Sequence, residues 1–258
     1  MKKYSKYGIR RMNGRFVMAV ALAGVLSVTT TGCDVQTQAA LGNILNSSGL
    51  GGNPTSMEMS QGLKEALQLG VSIGSDRLSA KDGFLGDLAV KILFPPEAQK
   101  VEKTLRDIGL GSLADNVITS VNRAAEAAAA EAKPIFVAAI KQMTIADAAN
   151  ILLGDKDAAT QYFKRVTTAE LTKKFRPVIE RSLNNVGATK YWGDVASKYN
   201  LIASKPITTD LAGYVTERAI DGLFVEVARE EANIRTNFSA RSTALLQKVF
   251  GYAEKSKP

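Results

Sequence analysis

The chain has no histidine and one cysteine, Cys33, in 258 residues. Without imidazole there is no Ser-His-Asp or Cys-His catalysis, no His general base and no His-ligated zinc. A lone thiol excludes internal disulfides and thiolate metal sites. The remaining catalytic options are carboxylates, Lys, Tyr and the Ser and Thr hydroxyls. No alternating run flanked by hairpin signals marks a strand, and no G-x-x-x-x-G-K-[ST] loop is present. Gly109-x-Gly111 and Gly49-x-Gly51-Gly52 lack the strand and third glycine of a dinucleotide fingerprint. Asp155-Lys156-Asp157 opens like a calcium loop, but Thr160 and Val166 stand where such a loop needs glycine and glutamate. No metal and no cofactor is therefore expected.

The longest uncharged apolar stretch near the start is residues 16–28 (FVMAVALAGVLSV), shorter than the roughly 20 residues a bilayer-spanning helix needs. Before it stand Lys2, Lys3, Lys6, Arg10, Arg11 and Arg15, with no acid, and after it Thr30-Thr31-Gly32-Cys33. A basic region, an apolar region and a small-residue cleavage site form a secretory signal. With cysteine at the cut, residues 1–32 resemble a bacterial lipoprotein signal, which implies that Cys33 is acylated and becomes the new N-terminus. The alternative is a signal cut elsewhere, leaving Cys33 an ordinary thiol. Acyl chains contribute about 0.8 kcal/mol per buried CH₂, and two signals make an anchor stable. The expected location is an envelope membrane, facing the periplasm; Asp34 resembles an inner-membrane retention signal but does not decide between inner and outer membrane.

That segment also carries the apparent basicity. The chain has 33 Lys and Arg against 25 Asp and Glu, a net charge of +8. Six of the 33, and none of the 25, precede Cys33, which leaves 27 against 25, a net of +2. No nucleic-acid partner is expected from such a balance.

Residues 33–57 are rich in Gly, Ser, Asn, Thr and Gln and read as a flexible tether. Residues 58–252 read as one all-α domain of about eight to ten helices, and residues 253–258 as a tail. Leu63, Leu67 and Val71 recur at helical spacing beside Ala66, Gly70 and Gly74, small residues that permit a close neighbour. The stretch Phe84–Phe94 is ambiguous in type, and Pro96 starts a helix that Gly109 ends. Ser112 is expected to cap a helix running through the alanines to Pro134, and Thr144-x-x-Asp147 has the form of a capping box. Asp155 or Asp157 is expected to cap a short helix over Ala158–Phe163. A separate long helix is expected from about Thr168 to Val186, with Pro177 inside it and Gly187 closing it. The longest helix is expected at Asp210–Arg235, with Ser239 capping the last one.

Certain segments carry a resemblance: Gly62-Leu63-Lys64-Glu65-Ala66-Leu67, Lys91-Ile92-Leu93-Phe94-Pro95-Pro96-Glu97, Asn122-Arg123-Ala124-Ala125-Glu126, Met143-Thr144-Ile145-Ala146-Asp147-Ala148 and Ala158-Ala159-Thr160-Gln161-Tyr162-Phe163. Together with Tyr214-Val215-Thr216-Glu217 and Gly222-Leu223-Phe224 they make residues 58–251 resemble the bacterial domain-of-unknown-function family 4197. The resemblance implies an exported helical domain and brings no activity or site residue.

Two charged groups stand out. Glu217 with Asp221, and Glu226 with Glu230, are carboxylates four apart on one helix. They either pair with arginines such as Arg218 and Arg229 or do acid–base work. Asn122, Arg123 and Glu126 form a compact polar group: Arg123 and Glu126, three apart, either pair as a structural bridge or, facing a cavity with Tyr162, make a candidate ligand pocket. Trp192 is expected to pack in the core. Two functions follow as expectations. The leading one is a non-catalytic envelope module that binds a protein or small ligand; the other is a carboxylate-dependent hydrolase of an envelope polymer such as peptidoglycan. Cys33→Ser is expected to release the chain from the membrane fraction after a salt and carbonate wash. A variant that stays bound would overturn the anchor.

Overall fold

Thr55 opens the first helix by exchanging bonds with Glu58. The Glu58 N–H donates to Thr55 Oγ1 at 3.2 Å and the Thr55 N–H to Glu58 Oε2 at 2.8 Å, so two otherwise orphaned donors are met. In this computed structural model residues 52–201 and 205–256 are described; Cys33 and the signal lie outside the described residues. Among the described residues nine α-helices follow one another in chain order: α1 (Ser56–Ser79), α2 (Gln99–Asp107), α3 (Gly111–Ala129), α4 (Ala132–Gln142), α5 (Ile145–Leu153), α6 (Ala158–Asn185), α7 (Ala188–Asn200), α8 (Leu211–Thr236) and α9 (Ala244–Lys255). The domain is all-α, with no strand among the described residues.

α1 is the central rod, packing against α3, α4, α5, α8 and α9. Leu63, Leu67, Val71 and Leu78 are buried along it. Its small residues do what their spacing suggests. A Cβ on Gly62 would lie 2.8 Å from Val249 of α9, and one on Gly74 would lie 3.2 Å from the Glu226 side chain of α8. α8 runs antiparallel to α1 on this side and antiparallel to α6 on another. α3 packs along α6 and completes the core. Phe136 of α4 links these layers, edge-on to Phe163 and to Phe224 at centroid distances of 5.0 and 6.3 Å. Among the described residues no single helix is long and apolar enough to cross a membrane.

Several local expectations hold. Thr144 and Asp147 form both bonds of a capping box, Gly187 closes α6 with φ of 71°, and Trp192 is buried. Others are corrected. The two helices expected over 158–186 are one, of 28 residues, longer than α8 with 26. Phe163, Thr167, Leu171, Phe175, Ile179 and Leu183 form one unbroken buried stripe, and the hydroxyls of Thr167, Thr168 and Thr172 donate to carbonyls one turn back. Packing therefore carries the helix through the β-branched residues. α3 starts at Gly111 without a side-chain cap, and Asp115 instead takes Arg106 at 2.8 Å. Thr243, not Ser239, caps α9, because the Ser239 N–H and hydroxyl both turn back to Asn237.

Glu58 also accepts from Lys248 of α9 at 2.7 Å. The Lys248 bond, with the Thr55 bonds, lowers its carboxyl to about 2. A depressed carboxylate pKa adds stability above the ordinary value, lost as pH falls toward the folded-state one. The link between α1 and α9 is thus expected to weaken between about pH 4.5 and 2. Lys248→Met is expected to move the Glu58 carboxyl transition upward in an NMR titration. An unchanged midpoint would refute the assignment to Lys248.

Candidate functional site

The four carboxylates singled out on α8 divide into two environments. Glu226 is fully buried and ion-paired to Arg77 of α1 and, at 2.9 Å, to Arg229. Glu230 shares Arg77 at 3.1 Å. Glu217 and Asp221 are exposed and share Arg218 at 3.2 and 2.7 Å. Arg229 continues the inner network to Asp87, whose carboxyl is held below its ordinary value chiefly by that hydrogen bond. Arg77 lies on a helix remote in sequence from α8, and is the partner that the local pattern does not reveal.

Asn122 and Glu126 have a different task. Residues 80–95 cross from α1 toward α2 without regular helix, and α3 meets their backbone. Asn122 Oδ1 accepts the Ile92 N–H at 2.8 Å, while its Nδ2 donates to Ile92 O and Ile118 O, both at 2.7 Å. Glu126 Oε1 accepts from the N–H groups of Phe84 and Leu85, and its Oε2 takes Arg123 at 2.6 Å. Arg123 also holds Asp82 at 2.6 Å. Across the strap, a Cβ on Gly222 of α8 would fall 2.7 Å from the Phe84 ring, so only glycine lets Phe84 seat there. These polar residues clamp the strap, of which Phe84, Val90, Ile92, Phe94 and Pro95 are buried, and Arg123 and Glu126 pair as a structural bridge. Tyr162 lies elsewhere, against Ala139, with its hydroxyl pKa raised by burial.

Open space lies along the first half of α8. In the antiparallel α6–α8 pair, Lys164, Thr168, Thr172 and Arg176 follow one another every fourth residue along one wall. Thr216, Glu217, Ile220, Asp221 and Phe224 form the other, around a volume of about 490 Å³. Gly213 and Glu217 also border a second cleft of about 720 Å³, with Phe94, Pro95, Pro96 and Glu97 at the end of the strap and Pro206, Thr208 and Asp210 before α8. The Thr168, Thr172 and Thr216 hydroxyls each donate to a backbone carbonyl, so toward the groove they offer acceptor lone pairs. Lys164 lies 5.8 Å from the Phe224 ring centroid. Arg176 pairs with Glu180 and Asp210 at the groove's end, and these bonds raise its pKa. Among the described residues no group of three or more carboxylates could hold a metal ion.

A family model, described as a protein of unknown function (DUF4197), matches residues 53–251. The chain belongs to the DUF4197 family. No curated protein and no solved structure matches it. The DUF4197 match spans α1 to most of α9, so both the strap and the groove lie within the family domain.

One residue central to this DUF4197 domain escapes a local reading. Glu231 is buried on α8 and accepts from the N–H groups of Ala159 and Thr160 and from the Thr160 hydroxyl at 2.8 to 3.0 Å. Asp157, expected as the cap of α6, makes no such bond. Arg235 neutralises Glu231 at 2.9 Å and donates to Ile151 O and Leu152 O at the end of α5. Removing one partner of a buried pair costs about 3–5 kcal/mol. Glu231→Ala is expected to lower unfolding free energy by that amount in urea melts, and Glu217→Ala by less than about 0.5 kcal/mol. Equal losses would refute the division between structural and groove carboxylates.

Proposed function

We propose that this chain is a non-catalytic binding module of a bacterial envelope, tethered through acylated Cys33, that receives a small ligand or a partner segment in the groove between α6 and α8. One observation carries this: the inner carboxylates and the Asn122–Glu126 group are occupied with arginines and backbone, while the groove and its neighbouring cleft stay open over the first half of α8. The walls suit a mixed ligand. Ile220 and Phe224 supply an apolar floor, the threonines supply acceptors, and Lys164, Arg176, Glu217 and Asp221 supply charge of both signs. Orientation by a few polar groups over an apolar floor is how small-molecule sites achieve specificity.

The hydrolase reading has one supporting observation, that Glu97 and Glu217 line the same open cleft. Both readings are tested together. The membrane-extracted wild-type chain and Thr172→Trp, which fills the groove from its exposed wall, are captured natively and analysed by mass spectrometry for proteins and small molecules. A co-purifying species reduced about tenfold or more in the variant is expected. That ratio corresponds to about 1.4 kcal/mol of binding. No such species, or equal recovery with both chains, would overturn the groove. Release of soluble fragments from purified peptidoglycan, lost in Glu217→Gln, would replace binding by hydrolysis.

A further inference from the structure

α7 is amphipathic in an uncommon way. Its inward side is fixed: Trp192 and Ala196 are buried, Ala188 and Tyr199 pack against the core, and Trp192 Nε1 donates to Thr208 O at 2.8 Å. Its outward side is not polar throughout. Tyr191 is 69% exposed and Leu201 85%, while Val195, 45% exposed, lies at the edge of the inward side. Among them stand Lys190 and Lys198, exposed on the same side, with Lys205 exposed shortly after the helix and Asp194 the one carboxylate on that face. None of these lysines forms an ion pair among the described residues, whereas Arg176 nearby takes two carboxylates.

We propose that the outward face of α7 docks on anionic phospholipid. Two lysines against one aspartate on the helix, with Lys205 exposed shortly after it, complement a negative surface, each basic residue adding roughly a fivefold preference near it. Apolar residues interleaved with lysine separate this occupant from a protein. The buried centre of a protein interface is depleted in lysine. A bilayer interface accepts it, because the alkyl stem lies along the acyl boundary while the ammonium reaches the phosphates. Tyr191 fits the same layer, where amphipathic rings gather, and Leu201 supplies apolar area for shallow insertion. The surface does not depend on the groove. It shares with the proposed function only a place at a membrane, and it requires no acyl chain.

The test is lysine acetylation footprinting by mass spectrometry. The full chain is mixed with vesicles of phosphatidylcholine alone or with phosphatidylglycerol added. Lys190, Lys198 and Lys205 are expected to be labelled several-fold more slowly on the anionic vesicles. Lys64 and Lys133, on α1 and α4, are expected to be unaffected. High salt is expected to restore labelling, and the exposed-site double variant Tyr191→Ser, Leu201→Asp to lose the protection. Equal labelling on both vesicles would overturn the proposal. So would protection conferred by an acidic polypeptide such as polyglutamate and not by vesicles. Cys33→Ser keeps the α7 footprint if the proposal holds. Failure of the anchor appears separately, as absence of an acyl mass on Cys33.

Discussion

A carboxylate carried into a helical core must be met by donors there, and Glu231 determines how three helices join. Its two oxygens fill the start of α6, where Ala159 and Thr160 present N–H groups that the helix itself cannot satisfy. Its partner Arg235 fills the end of α5 through Ile151 O and Leu152 O. One ion pair on α8 therefore seals the α5–α6 junction from the side. With the start of α6 fixed against the last third of α8, the antiparallel register of the two helices is set. That register brings Lys164 opposite Phe224 and Arg176 opposite Gly213. The groove is a consequence of the Glu231 contact some two turns or more away from it.

The strap at residues 80–95 applies the same principle to a segment without helix. A connection of this length without helix or strand is uncommon inside a compact domain, and wherever it is buried its backbone groups need partners. Turns within the strap meet some, such as Val90 N–H to Asp87 O, and α3 meets others from one face, Asn122 at Ile92 and Glu126 at Phe84 and Leu85. α8 supplies the room, through Gly222. Arg229 then ties Asp87 to the fully buried Glu226. The strap ends at Phe94–Glu97, which form one wall of the larger cleft. The residues that first invite a ligand-binding reading are thus one step removed from the opening: they hold the wall in place.

The helices were legible because their signals are local. Thr144 and Asp147 are three residues apart, Gly187 sits where the chain must turn, and Leu63, Leu67 and Val71 lie on one stripe. Two of the failures share a cause, which is that the deciding partner is distant in sequence. Asp157 looks like a cap until Glu231 takes the donors it would have served. The break expected between Phe163 and Thr168 does not occur, because the stripe from Phe163 to Leu183 is held by other helices. Ser239 fails for a local reason: Asn237, two residues back, captures its polar groups, and Thr243 caps α9 instead. The groove had a visible half, since Lys164, Thr168, Thr172 and Arg176 recur every four residues. A spacing of that kind is an outward stripe like any other until α8 lies beside it.

Trp192 connects the groove to the far side of the domain. Its ring packs on Phe94 at 5.9 Å, at the end of the strap, and its Nε1 holds Thr208, in the segment that leads into α8. Asn200 at the end of α7 adds reciprocal bonds to Ile207. Both walls of the larger cleft thus lean on α7, one through an aromatic contact and the other through hydrogen bonds. The buried Trp192 borders a small cavity with Phe94, Pro95 and Tyr214, which also line that cleft, so the inner face of α7 alone positions both walls.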